Sequence, residues 1–403
     1  MNSGSDLRLL ARRELTFFDM KRPVFAGAQP AGRGTFSLID GDPLFELQRA
    51  AHLAGGRHPV LPRALMLALI GYVPPLLLAL VFGAPRGALV PLHTRFLIAI
   101  PIMLWAEGFV DSRVRSAVAS FTARGLIKPA DLPRFQSIVA DAERLHHSIR
   151  MAVAIIAVAF GISSLEGLVG LTTHLTAGST APTSGTTTAQ TTAIQWWVAF
   201  LSLPLFRVVL LQWIWRWAVW AILMARTARL DLQLEPAHPD LAGGLGFLEQ
   251  AAISFLCLQV ATGAVIAGRL ASKLLPVRQE IAGFTLITIT MVLGPLVLFS
   301  RKLFRAKRRG ELTYGELASR HNRLFGERWF GGDGAQPLGD PSFSSLADLS
   351  SSYGSISRMR PLPIGRLALL LLLVVCFAPA VPALLAGVPL NDMLVRVVKT
   401  VLL

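Results

Sequence analysis

Residues 194–225 read IQWWVAFLSLPLFRVVLLQWIWRWAVWAILMA, with only two ionisable side chains, Arg207 and Arg216. At 1.5 Å per residue such a helix spans a hydrocarbon core of about 30 Å. Trp196 and Trp197 stand near one end, and Trp213, Trp215, Trp217 and Trp220 near the other. Tryptophan favours the two membrane–water interfaces, and the rise from Trp197 to Trp213 is about 24 Å. The stretch therefore reads as a transmembrane helix.

Outward from it, similar apolar segments cover 64–83, 89–110, 151–171, 247–268, 281–300 and 364–385. The chain of 403 residues is 53% hydrophobic and 16% charged, against about 25% charged in soluble domains. The expected fold is an all-α polytopic bundle of about seven transmembrane helices. Pro74-Pro75 removes two backbone donors near the centre of the first, where a kink is expected.

Orientation follows from Lys and Arg outside the helices. Segments 1–63, 111–150, 226–246 and 301–362 hold 29, and the alternate segments 84–95, 172–193, 269–280 and 388–403 hold 7. The basic set belongs in the cytoplasm, which places the N-terminus inside and the C-terminus outside. The hairpin of helices five and six is the least secure crossing, because Arg269, Lys273 and Arg278 sit in its outer loop. Net charge is +15, but the arginines lie between apolar segments, so topology rather than nucleic acid explains them. Arginine outnumbers lysine 33 to 6 in a chain rich in Ala, Leu and Gly, as in GC-rich bacteria, so a bacterial inner membrane is the expected location. The first twenty residues lack the apolar run of a signal peptide. Cys257 and Cys376 both fall in apolar segments and read as core residues.

The organisation reads as a cytoplasmic segment 1–63, a transmembrane hairpin 64–110, a cytoplasmic helical segment 111–150 and helices three to six over 151–300. A Thr-rich, low-complexity outer loop interrupts them at 172–193. A basic segment and a Ser/Gly linker fill 301–363, and the seventh helix with an amphipathic tail fills 364–403. Asp42-Pro43 opens a short amphipathic helix on the membrane surface, with Leu44, Leu47, Ala51 and Ala54 in its stripe. Residues 131–150 form a second, which is expected to run into the third span.

Arg207 falls between the Trp belts, where an arginine costs at least about 2.5–3.5 kcal/mol and should find a partner. Glu166 in the third helix is the candidate partner, with Glu107 as an alternative. Two readings stay open: a buried ion pair that fixes helix register, or an anion-attracting or ion-pathway site. Arg216, inside the inner Trp belt, is expected to snorkel to the cytoplasmic interface.

The turn between helices four and five contains His238-Pro239-Asp240-Leu241-Ala242-Gly243-Gly244-Leu245-Gly246-Phe247. Asp240 can cap the following helix, and Gly243, Gly244 and Gly246 permit tight backbone turns or a close approach to an anion. The run HPDLAGGLGFL resembles a segment of uncharacterised bacterial multipass membrane proteins, a resemblance that implies no reaction or substrate. The His-Pro-Asp of J-domain co-chaperones lies between soluble helices and does not fit here. A tight structural turn and a ligand site are the two readings.

Glu143 and His147 are four residues apart on a helix but lack a third metal ligand, so a solvated face is expected. The basic run Arg301–Arg309 after the sixth helix is a topogenic signal that also suits anionic lipid headgroups. The chain has no P-loop, HExxH or GxSxG motif, and no cofactor or metal is expected. A transport, channel or sensing role comes first, a non-catalytic membrane scaffold or assembly partner second, and an enzyme last.

Overall fold

A computed structural model describes residues 36–50, 60–82, 89–176, 188–271, 277–330 and 341–381. The described residues form helices and turns, plus one isolated antiparallel bridge between Ile127 and Leu232. In chain order the helices are α1 (Pro43–Ala50), α2 (Val60–Gly71), α3 (Val73–Val81), α4 (Val90–His93), α5 (Ile100–Ala123), α6 (Leu132–His146), α7 (Ile149–Thr176) and α8 (Thr188–Trp197). There follow α9 (Leu203–Thr227), α10 (Phe247–Ser254), α11 (Leu256–Ala271), α12 (Val277–Val297), α13 (Ser300–Phe330), α14 (Pro341–Ser357) and α15 (Arg366–Phe377). Two π-helical stretches, Thr94–Ala99 and Val198–Ser202, join α4 to α5 and α8 to α9.

Five stretches of the described chain are long and apolar enough to cross a bilayer: Val60–Val81, Ile149–Leu168, Ala193–Thr227, Phe247–Leu270 and Gln279–Val297. Their outer faces expose rows of large apolar side chains, such as Leu61, Leu65 and Leu69, or Ile149, Val153 and Ile156. In water such rows would be a liability, and in lipid they are the contact surface. Phe247–Leu270 is the most enclosed of the five.

The segment read as the second crossing is continuous helix from Val90 to Ala123. Its charges explain why it falls outside the apolar five. Glu107 and Asp111 are buried along with Ile100, Met103, Leu104, Val110 and Val114. The segment read as the seventh is α15 followed by a short 3-10 turn at Ala378–Ala380, and the tail expected at 388–403 lies outside the described residues.

The Pro74-Pro75 kink is present as a break between α2 and α3 at Tyr72. In an unbroken helix the amides of residues 74 and 75 would serve the carbonyls of Ile70 and Gly71, and proline has no N–H. The helix α8 and the π stretch after it fill the gap. Trp197 Nε1 donates to the Ile70 oxygen at 3.1 Å, and Ser202 Oγ to the Gly71 oxygen at 2.5 Å. Phe96, from the other π stretch, packs where a Cβ on Gly71 would stand.

Three expectations need correction. The helix over 131–150 does not run into the next span: α6 ends at His146 and α7 begins at Ile149, after a turn at His147. The linker is not irregular throughout, because α14 occupies 341–357 and packs on α13. Phe343 lies 4.9 Å from Phe325 and 5.0 Å from Trp329, ring centre to ring centre, and Ile356 is fully buried. The Thr-rich loop is shorter than 172–193, since α7 extends to Thr176 and α8 starts at Thr188. A short helix does start at Pro43, as α1, with Leu47 exposed, whereas Ala51 and Ala54 lie outside the described residues. Both cysteines are unpaired.

Candidate functional site

The stretch 36–42, expected to be part of a cytoplasmic segment, packs against the helices of the bundle. Phe36 and Leu38 are buried. Asp111 of α5 holds the stretch through one oxygen, which accepts from Ser37 Oγ at 2.8 Å and Leu38 N at 2.7 Å, while its other oxygen pairs with Arg115. These contacts deliver Asp42 to the interior.

There Asp42 meets Arg216, which is 1% exposed. Arg216 Nη2 donates to Asp42 Oδ2 at 3.0 Å, and its Nη1 donates to Glu107 Oε1 at 2.8 Å. Gln212, one helical turn before Arg216, donates to the same Asp42 oxygen at 2.6 Å. Arg63 of α2 forks onto both oxygens of Glu107, and Phe45 of α1 lies under its guanidinium. Asp42 also accepts from Leu44 N at 3.0 Å, so the expected cap of α1 is made as well. Two arginines and two carboxylates from four segments thus form one buried, charge-matched network. Bidentate Arg–carboxylate geometry is the strong form of this bond.

Burial by itself would raise the Asp42 carboxyl, but Arg216, helped by Gln212, holds it below its ordinary value. His146, at the end of α6, is buried beside the network, and neither ring nitrogen has a hydrogen-bond partner among the described residues. Burial, then the charge of Arg216, pushes its pKa down to about 4, so the ring is neutral near pH 7.

Arg216 therefore does not snorkel. The expectation failed because a carboxylate far away in sequence completes its site, and a satisfied guanidinium has no need of the interface. Glu107 serves Arg63 and Arg216 rather than Arg207. Arg207 does pair with Glu166, at 2.5 Å, and also donates to Ser163 at 2.6 Å. That pair is not buried: the side chains are 22% and 55% exposed. Glu166 lies on the outward face of α7, which leaves the pair at the rim of the bundle rather than in its centre.

The turn at 238–246 resolves into a closed structure. Asp240 Oδ1 accepts from Ala242 N at 2.8 Å and Gly244 N at 3.1 Å, and Oδ2 accepts from Gly246 N at 2.8 Å. His238 Nδ1 lies 2.9 Å from Asp240 Oδ1. Gly243 and Gly244 have φ of 63° and 93°, and Leu241 has φ of 55°, values that glycine tolerates and leucine resists. The amides that could cradle an external anion already hold the chain's own carboxylate. Burial would raise the Asp240 pKa, and these three amides lower it. Arg360, before α15, ties the turn down by donating from its backbone to Leu241 O at 2.8 Å. His147 Nε2 lies 3.1 Å from Asp40 O, and Glu143 has no companion ligands: no cluster of metal-binding side chains occurs among the described residues.

Arg63 and Asp42 were the residues that sequence reading missed. A usable signal was the opposite charge of Glu107 and Arg216 in two apolar segments, with Gln212 on the same face as Arg216. No protein-family model, characterised protein or solved structure matches this chain.

Proposed function

We propose that this chain is a transport, channel or sensing protein of a bacterial inner membrane, with seven crossings and its N-terminus in the cytoplasm. In this reading the network around Arg216 is a latch at the cytoplasmic end. The observation that carries it is the burial of Arg216 between Glu107, inside the bundle, and Asp42, supplied by a segment outside the spans. Apolar side chains of similar size would hold such a site at least as firmly, since taking ions out of water costs several kcal/mol each. Ionised groups kept at such a junction suit a contact that must break and re-form.

The latch can be tested with Ile39→Cys, a buried position on the latched stretch, in a Cys257→Ala/Cys376→Ala background. Maleimide should label it slowly from the cytoplasmic side. Asp42→Asn, which weakens a pair worth about 3–5 kcal/mol when broken, should speed labelling about 100-fold or more. Labelling unchanged by Asp42→Asn overturns the latch.

The second reading is a static scaffold. It is favoured by the even match of two arginines with two carboxylates and by the self-filled turn at Asp240. Ion flux or a ligand-dependent change in Ile39→Cys labelling would separate the first reading from it.

A further inference from the structure

We infer that the cleft between residues 229–236 and the first turns of α13 binds a phosphate-bearing anion, drawn either from a phospholipid headgroup or from a soluble phosphate. The cleft has a volume of about 600 Å³, within the range of small-molecule sites. Five cations line it, Lys128, Arg229, Lys302, Arg305 and Arg309, with a single carboxylate, Asp231.

Each wall follows from local structure. Lys302, Arg305 and Arg309 are spaced three and four apart, so they share one face of α13. On the other wall, the bridge of Ile127 with Leu232 and the bond from Gln233 N to Leu126 O, 2.9 Å, hold two loops side by side. That places Lys128 against Asp231, so the one carboxylate is already paired. Lys302 donates to Leu230 O and joins the two walls. Arg229, Arg305 and Arg309 are exposed and make no side-chain hydrogen bond or ion pair with the described residues.

Arginines converging from two walls suit a ligand with several oxygens in three dimensions. Their forked donors match phosphate, whereas a lone carboxylate would engage only one or two of them. The cleft begins just past the ends of α9 and α12, two helices that leave the apolar zone there. A headgroup of the adjoining leaflet would sit at this level. The lipid source rests on reading this end as cytoplasmic, and the soluble source does not.

The test uses the full chain with two probes. One is inorganic pyrophosphate added in neutral detergent. The other is a nanodisc of phosphatidylcholine with or without phosphatidic acid. The readout is the shift in Tm with probe, compared across wild type, Arg305→Gln/Arg309→Gln, and Arg301→Gln/Arg308→Gln. The last pair is equally exposed on the same helix but does not line the cleft. Expected is stabilisation of wild type by at least one probe, with apparent affinity falling about tenfold or more in the cleft variant and unchanged in the control variant. Stabilisation by pyrophosphate alone assigns a soluble ligand, and stabilisation by phosphatidic acid alone assigns a headgroup. No stabilisation by either probe, or equal weakening in both variants, overturns the site. Failure of the Ile39→Cys labelling test leaves this result untouched, because the two sites share no residue.

Discussion

Ser202 donates its hydroxyl to the carbonyl oxygen of Gly71 at 2.5 Å. That oxygen lacks a helical partner because residue 75 is proline, and the serine comes from a π-helical stretch more than a hundred residues away. The two irregularities are therefore one structure. The widened turn at Val198–Ser202 aims a hydroxyl, and Trp197 an indole N–H, at the gap opened by Pro74-Pro75. Broken helices are tolerated in membranes when neighbours satisfy the freed backbone in this way.

Ser202→Ala should accordingly cost about 1–3 kcal/mol, the penalty of a buried carbonyl left unpaired. Pro75→Ala returns an amide at the right place, so Ser202→Ala/Pro75→Ala should lose less than Ser202→Ala alone. Thermal unfolding of the single and double variants in detergent measures the difference. Simple additivity would show that the serine serves some other purpose.

The buried network predicts an order of severity. Glu107→Leu strands Arg63 and leaves Arg216 with Asp42 alone, two buried guanidiniums for one carboxylate, and should be the worst, at about 3–5 kcal/mol or more. Arg216→Met leaves Asp42 with Gln212 and Leu44, and Glu107 with Arg63, so it should cost less. Arg207→Leu removes an ion from the apolar zone and leaves Glu166, on the outward face of α7, free to take up a proton, so it should cost less than Glu107→Leu. Unfolding midpoints in one detergent rank the three, and a loss at Arg207 as large as at Glu107 would contradict the rim placement.

The five long apolar helices were legible in the sequence because apolar length is a local quantity. So was the Asp240 turn, whose glycines and carboxylate lie within a few residues of one another. The buried pair of Asp42 with Arg216 was not, because the two are 174 residues apart and nothing local marks that carboxylate as a guest of the ninth helix. Composition also misled at 341–357. Its serines suggest a linker, yet Phe343, Leu346, Tyr353 and Ile356 recur at helical spacing, and Ile356 packs against Gly310, where a side chain would collide. Arg207 was correctly paired, but burial depends on which way α7 faces, and a segment apolar all round does not reveal that.

His146 predicts how the fold responds to acid. Its neighbours of charge are Arg216, His147, Asp42 and Asp111. The folded pKa of about 4 lies below the ordinary 6.5, so the unfolded chain binds the proton more readily. Stability is full above pH 6.5 and falls as the pH drops toward 4, by roughly 1 kcal/mol per unit. Asp42 has the same sign but acts only below its ordinary value of 3.8, outside that window. His146→Leu should flatten the profile of Tm between pH 6.5 and 4. A wild-type profile that is already flat there would mean that the ring is not buried neutral.

The turn at Asp240 separates a structural role from a binding one. Asp240→Ala deprives the amides of Ala242, Gly244 and Gly246 of their acceptor. The Asp240 side chain is partly exposed, so water entering its place recovers part of the loss, and a net cost of about 2–3 kcal/mol is expected. Asp240→Asn keeps Oδ1 for Ala242 and Gly244 but sets an NH2 group against the Gly246 amide, and should cost roughly half as much. Gly244→Ala should also destabilise, since φ of 93° is strained for any side chain and its Cβ would meet Leu126 at 3.2 Å. Sulfate at high concentration provides the contrast. If these amides exist to bind an external anion, sulfate would rescue Asp240→Ala by occupying the vacated cradle. If the carboxylate is the intended occupant, tethered and positioned by His238 and Arg360, a free anion competes poorly and the loss should persist. Persistence, read as an unchanged Tm deficit across the sulfate series relative to wild type, is the expected result.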